Sequence, residues 1–269
     1  MRSSLPFLVL ASLVACGVSP ASGSPNQEEE GAPAPAVRRM VAFDHAPFDA
    51  ILRAVVRDER VDYAAVRKNH LPALDAYLDR IAPFDRALLP PRDRLAFDLN
   101  LYNATMIRAV VERLEADPDW TPAHDDFAVF REPLVRVGGR TITLNALEND
   151  VIRPESDEPR VHVALVCAAV SCPPLLPRAY VPGDLEETLD ANMRRFLTDG
   201  KRNRIDRDAE RLALSRIFEW YADDFGGRAR LAEFVDRYVE GDVGDFEVTF
   251  LEYDWSLNAL RTASGREEE

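Results

Sequence analysis

Directly after Pro90-Pro91 the chain reads RDRLAFDLNLYNATMIRAVVERLEA, residues 92–116. Proline suits a first helical turn, and neither proline nor glycine occurs in the stretch that follows. Leu95, Leu99, Tyr102, Met106, Val110 and Leu114 recur at helical spacing, which predicts one long helix with an apolar stripe. At about 100° per residue Asn103 falls inside that stripe and Asn100 on its margin. A buried amide left unpaired costs roughly 1–3 kcal/mol. Asn103 is therefore expected to hold a definite partner, either a loop backbone that it pins or a functional site.

Helical spacing recurs on both sides of this helix. Phe48, Ile51, Leu52 and Val55 share one face, as do Leu71, Leu74, Leu78 and Ile81. Residues 134–137 and 140–144 flank Gly138-Gly139 and predict a hairpin, since glycine supplies the positive φ of a tight turn. A short helix is expected over 145–153. Residues 161–167, VHVALVC, form a continuous apolar run and predict a strand buried on both faces. Asp184 and Glu187 resemble a capping box opening a helix that ends at Gly200. A second hairpin is expected over 204–205 and 211–214, then helices over 217–225 and 228–239 and a late strand over 246–253. These patterns predict an α+β (or α/β) class: a helix-rich single domain around a small mixed sheet, spanning residues 41–262.

The N-terminus differs in kind. Arg2 precedes an apolar run over residues 5–15 that is too short to span a bilayer and has the flanks of a secretory signal. Leu13-Val14-Ala15-Cys16 resembles a bacterial lipobox, in which the cysteine is acylated and becomes the mature N-terminus. The expectation is a signal peptide over 1–15, lipidation at Cys16 and a membrane anchor through that lipid. Gly17 after the cysteine fits an outer-membrane lipoprotein facing the periplasm of a bacterial cell envelope. Residues 16–40 are rich in Gly, Ser, Pro, Ala and Glu and predict a flexible tether, and residues 263–269 a disordered tail. A formal charge of −14 argues against nucleic acid and against electrostatic binding to anionic lipid.

The candidate chemistry lies in His162, Glu148, Cys167 and Cys172. His162 sits in the apolar run and needs an acceptor to fix its tautomer, for which Glu148 on the short preceding helix is the candidate. Cys167 and Cys172 flank a turn in Cys-Ala-Ala-Val-Ser-Cys-Pro-Pro. Outside the cytoplasm such a pair forms a disulfide; alternatively Cys172 is a nucleophile beside a helix opened by Pro173. Along an extended strand His162 and Cys167 would lie about 17 Å apart on opposite faces, so a direct Cys172–His162 dyad needs a tight reversal. The four histidines show no ligand spacing, and neither a glycine-rich phosphate loop nor a Gly-x-Ser-x-Gly elbow occurs. No metal and no cofactor is expected.

Together these motifs resemble domain of unknown function family 547. Its AFWINxYNA helix is similar to residues 96–104, with Asp98 where the family usually has Trp. Asn145-Ala146-Leu147-Glu148 with Val151-Ile152-Arg153, the run 159–167 with Ser171-Cys172-Pro173, and Leu214-Ser215-Arg216-Ile217-Phe218 follow in order. Trp220-Tyr221, Asp224-Phe225 and Tyr253-Asp254-Trp255-Ser256-Leu257-Asn258 complete a resemblance over about residues 45–260. It implies two open readings for an envelope lipoprotein. One is a non-catalytic binding or scaffold module for an unknown envelope peptide, protein or small molecule, with these residues in a buried network. The other is a thiol-dependent hydrolase or transferase on peptide or acyl bonds, with Cys172 as nucleophile, His162 as base, Glu148 as its orienter and Asn103 as a polar positioner or oxyanion donor.

Overall fold

A computed structural model of the protein describes residues 41–260. The expected signal peptide, Cys16, the tether and the tail beyond residue 262 lie outside the described residues. The fold is a helix-rich α+β domain. Its helices surround Pro91–Ala116, and its strands form two short hairpins, Val56–Arg57 with Arg60–Val61 and Val135–Val137 with Arg140–Ile142, and one three-stranded sheet. In that sheet Arg211–Leu214 is central. It pairs antiparallel with Arg204–Asp206 and parallel with Glu247–Phe250. No helix among the described residues is long and apolar enough to cross a membrane.

The long helix starts one residue earlier than the sequence predicts, with Pro91 in its first turn. The expected one-faced stripe is too narrow. Every residue from Ala96 to Ile107 is buried, including Asp98, Asn100, Asn103 and Thr105. The helix is thus the axis of the main core, against which Phe48, Leu52, Leu74, Tyr77 and Ile81 pack. Burying such side chains contributes about 1.5–3 kcal/mol each. Asp98, Asn100 and Asn103 survive on this axis because each has a partner. Asp98 accepts two bonds from the Arg86 guanidinium, and Asn100 exchanges two bonds with the backbone of Tyr180.

The hairpin around Gly138 and Gly139 forms as expected, with φ of 58° and 72° at the two glycines. The strand expected over 161–167 does not form. Residues Pro159–Val163 are a 3-10 helix, opened by Glu158 accepting from the Arg160 N–H, and the chain then turns so that Ala164 and Leu165 both donate to the Val161 carbonyl. Side chains of neighbouring helices take the place of strand partners. Asn103 Nδ2 donates to the Ala164 carbonyl at 2.9 Å, Asn103 Oδ1 accepts from the Val166 N–H at 3.0 Å, and Asn192 donates to the Val163 carbonyl. A short apolar run serves a buried turn as well as a buried strand when its backbone is satisfied this way.

The region after Cys172 also departs from expectation. No helix follows Pro173; residues 173–181 run irregularly to the 3-10 turn Pro182–Asp184 and the helix Leu185–Thr198. Asp184 makes no cap there and instead accepts from Arg178. A second apolar cluster, with Met193, Phe196, Phe218, Phe225 and Phe234, lies beside the first. Residues 251–260 run as an extended strap. They exchange backbone bonds with Val61 and with the 168–171 loop between the two cysteines.

Candidate functional site

The strap is what fixes the cysteine loop. Val170 N–H donates to the Ser256 carbonyl at 2.8 Å, Ser171 N–H to the Asp254 carbonyl at 3.1 Å, and Asn258 N–H to the Ala168 carbonyl at 2.8 Å. Ser171 Oγ in turn accepts from the Asp254 N–H at 2.9 Å. From the other side, the buried Arg202 guanidinium donates to the carbonyls of Cys172 at 2.9 Å and Val170 at 3.0 Å. Ala168, the residue after Cys167, is held at a φ of 63°. A left-handed alanine costs about 1–2 kcal/mol and persists only where its surroundings over-determine it. These bonds supply that constraint.

The loop so held brings the two sulfurs together as free thiols in different settings. Cys172 is buried, with 2% of its surface exposed. Its Sγ accepts from the Cys167 N–H at 2.9 Å. Cys167 is half-buried, and its Sγ lies 3.2 Å from the Tyr253 hydroxyl. Burial opposes the Cys167 thiolate, but hydrogen bonds from the Cys172 thiol, the Tyr253 hydroxyl and the Ala169 N–H outweigh it and hold this thiol below its ordinary value. Burial and the neighbouring Cys167 sulfur push Cys172 well up. Of the two thiols, Cys167 is thus the one held toward its ionised form.

Both cysteines line a cavity of about 450 Å³ that also takes in Glu148, His162, Tyr102 and Tyr221. Glu148 stands on a π-helical turn, Leu147–Ile152, where the widened backbone re-aims side chains relative to an α-helix. Burial raises its carboxyl above the usual range, partly offset by the Tyr221 and Tyr102 hydroxyls and by Arg153. The short helix expected over 145–153 thus exists, but with this turn inside it.

His162 is placed differently from the strand expectation. Its Nε2 meets Asp224 Oδ2 at 2.7 Å, and its Nδ1 faces Glu148 Oε1 at 3.7 Å. Tyr221 stacks on the ring at 3.8 Å between centroids. Asp224, not Glu148, is the hydrogen-bonded orienter. Asp224 also accepts two bonds from Arg153, at 2.6 and 2.8 Å, which with His162 keep its carboxyl below the ordinary range. Burial drives His162 down to about 4, against the pull of Asp224. A neutral ring that donates from Nε2 to Asp224 leaves Nδ1 as an acceptor facing Glu148.

Asn103 stays outside this cavity's lining. Both ends of its amide are taken by the backbone of Ala164 and Val166, so it pins the turn that carries His162 toward Cys167. The mouth of the cavity is aromatic. Trp220, 48% exposed, stacks on Trp255 at 5.8 Å and tilts against Tyr253 at 4.8 Å. Phe127 meets Trp255 edge-on at 4.7 Å. Among the described residues, no group of three or more His, Cys, Asp or Glu is disposed to hold a metal ion.

Reasoning from local sequence alone missed Asp224, Tyr221 and Tyr253, which lie 50 or more residues from the histidine and cysteines they serve. The signal for them was the run of aromatic and acidic pairs late in the chain, Trp220-Tyr221, Asp224-Phe225 and Tyr253-Asp254-Trp255. No curated protein and no solved structure matches the chain. Residues 87–197 match the model of the family described as Protein of unknown function, DUF547, and the matched span holds Asn103, Glu148, His162 and both thiols.

Proposed function

We propose that the domain is a thiol-dependent hydrolase or transferase acting on acyl or peptide bonds, with Cys167 as nucleophile. The observation that carries this reading is the half-buried Cys167 sulfur, held by Tyr253 and Cys172, opening on the cavity that also holds Glu148. The Cys167 thiolate attacks the carbonyl carbon, forming a thioester as the leaving group departs. Protonated Glu148 gives the leaving group its proton. The resulting carboxylate then takes a proton from water or another acceptor, which attacks the thioester and restores the thiol. His162, fixed by Asp224, is a positioning residue: its Nδ1 faces Glu148 and favours the protonated carboxyl.

The aromatic mouth formed by Trp220 and Trp255 supports a second reading, a binding module whose ligand stacks there without reacting. On either reading the resemblance of Leu13-Val14-Ala15-Cys16 to a lipobox supports an envelope-membrane location for the domain.

Exposure of the reduced full chain to p-nitrophenyl acetate separates the two readings. Release of p-nitrophenolate should accompany one acetyl group on Cys167. Cys167→Ser should abolish this and Cys172→Ser should retain it. Acetylation unchanged in Cys167→Ser would overturn the enzyme reading.

A further inference from the structure

The nucleophile reading uses Cys167 and leaves the second thiol with only a hydrogen bond to give. Cys172 is the more buried of the two cavity-lining thiols, at 2% exposure, and its sulfur is the atom to which the Cys167 N–H is directed. The loop between the two is braced by the strap on one side and by Arg202 on the other, and it includes a left-handed alanine. It holds the half-buried Cys167 and the buried Cys172 side by side, with the Cys167 N–H 2.9 Å from the Cys172 sulfur.

We propose that Cys172 is a resolving cysteine, a site of reversible modification that clears Cys167 after it has been oxidised by a low-molecular-weight disulfide; this rests on the reading of Cys167 as the reactive thiol. In the first step the Cys167 thiolate attacks one sulfur of the small disulfide RSSR. A Cys167–S–S–R bond forms, the RS–SR bond breaks and RS⁻ leaves. In the second step Cys172 gives up its proton to solvent or to RS⁻, and its sulfur attacks Cys167 Sγ. The Cys167–Cys172 bond forms and the second RS⁻ departs. Two protein thiols are oxidised and one disulfide is reduced to two thiols, so electrons and protons balance.

The order of events follows from access. Of the two thiols lining the cavity, Cys167 is the less buried and is held toward its ionised form, and Cys172, beneath it, lies against the Cys167 backbone N–H. The bridged state would have no nucleophile, and reduction would restore it. An envelope location would expose the site to such oxidants.

Hydroxyethyl disulfide added to the reduced full chain tests this, followed by acid quenching, alkylation of remaining thiols and peptide mapping. The wild-type chain should lose both the Cys167 and Cys172 thiols, joined to each other, with no hydroxyethylthio group retained. Cys172→Ser should instead keep that group on Cys167 until dithiothreitol removes it. A stable adduct on Cys167 in the wild-type chain, with Cys172 still open to alkylation after quenching, would overturn the proposal without any appeal to a variant. So would an adduct on Cys172 in Cys167→Ser that forms as fast as the one on Cys167. Failure here differs from failure of the acyl-transfer reading. A reduced chain that accepts acetyl on Cys167 but never bridges loses only the resolving role. A chain that bridges but is never acetylated loses only the acyl chemistry.

Discussion

Cys167 Sγ and the Tyr253 hydroxyl meet at 3.2 Å across 86 residues of chain. The contact exists because the strap carrying Tyr253 is hydrogen-bonded to the loop that follows Cys167. Three donors hold the thiol toward its ionised form, and Tyr253 is the one that a single atom removes. Tyr253→Phe leaves every backbone bond of the strap in place. A lost hydrogen bond to a charged group is worth about 1.5 kcal/mol, or one pKa unit. Iodoacetamide should then alkylate Cys167 about tenfold more slowly near neutral pH, with the rate profile moved to higher pH. An unmoved profile would remove Tyr253 from the site.

Asn103 gives a stability test of the same region. Asn103→Ala leaves the Ala164 carbonyl and the Val166 N–H buried without partners. With each group at roughly 1–3 kcal/mol, the loss should be about 3 kcal/mol. Urea unfolding should show it as a lower midpoint at unchanged slope. A loss no greater than that of a surface asparagine would mean that the turn carrying His162 is held by something else.

The long helix, the first two helices and the Gly138-Gly139 hairpin were legible because periodicity and glycine chemistry act within a few residues. The turn at 161–167 was not. Its apolar run is explained by Asn103 and Asn192, two side chains from distant helices that satisfy its backbone. Sequence could place His162, Glu148 and the cysteines among the candidates by residue type. It could not show that Asp224 would reach His162 across 62 residues, or that the strap would single out Cys167. Those are properties of tertiary packing, and a one-dimensional pattern holds them only as isolated aromatic and acidic pairs.

His45 offers a pH test away from the cavity. It is buried, its Nδ1 lies 2.6 Å from the Tyr77 hydroxyl, and burial lowers it to about 4. In the unfolded chain it titrates near 6.5, so between pH 6.5 and 4 the unfolded state binds more protons. Its contribution is present above pH 6.5, is lost as pH falls to about 4, and is constant below that. The stability difference between wild type and His45→Gln should therefore shrink by roughly 2–3 kcal/mol on going from pH 7 to pH 4. A constant difference would mean that His45 titrates in the fold as it does in the unfolded chain.

The proposed anchor at Cys16 is tested by location. Cys16→Ser should move the protein from the membrane fraction to the soluble fraction of the envelope. Since the domain core starts well after this residue, unfolding of the variant should match wild type. Continued membrane association after a high-salt wash would point to attachment through the domain itself.

Glu148 separates the two halves of the proposed cycle. Glu148→Gln keeps the shape of the side chain and resembles the protonated carboxyl that burial favours. Attack by Cys167 on p-nitrophenyl acetate needs little help from an acid, because p-nitrophenolate leaves readily. The first burst of phenolate should therefore persist. Hydrolysis of the acetyl-Cys167 thioester needs a base to take a proton from water, and glutamine cannot act as one. Steady-state turnover should fall by about 10²-fold or more, with acetyl accumulating on Cys167 in the mass spectrum. Equal loss of burst and turnover would make Glu148 a structural support of the cavity. Unchanged turnover would assign the base to another group, with the Nδ1 of His162, 3.7 Å from Glu148 Oε1, as the candidate.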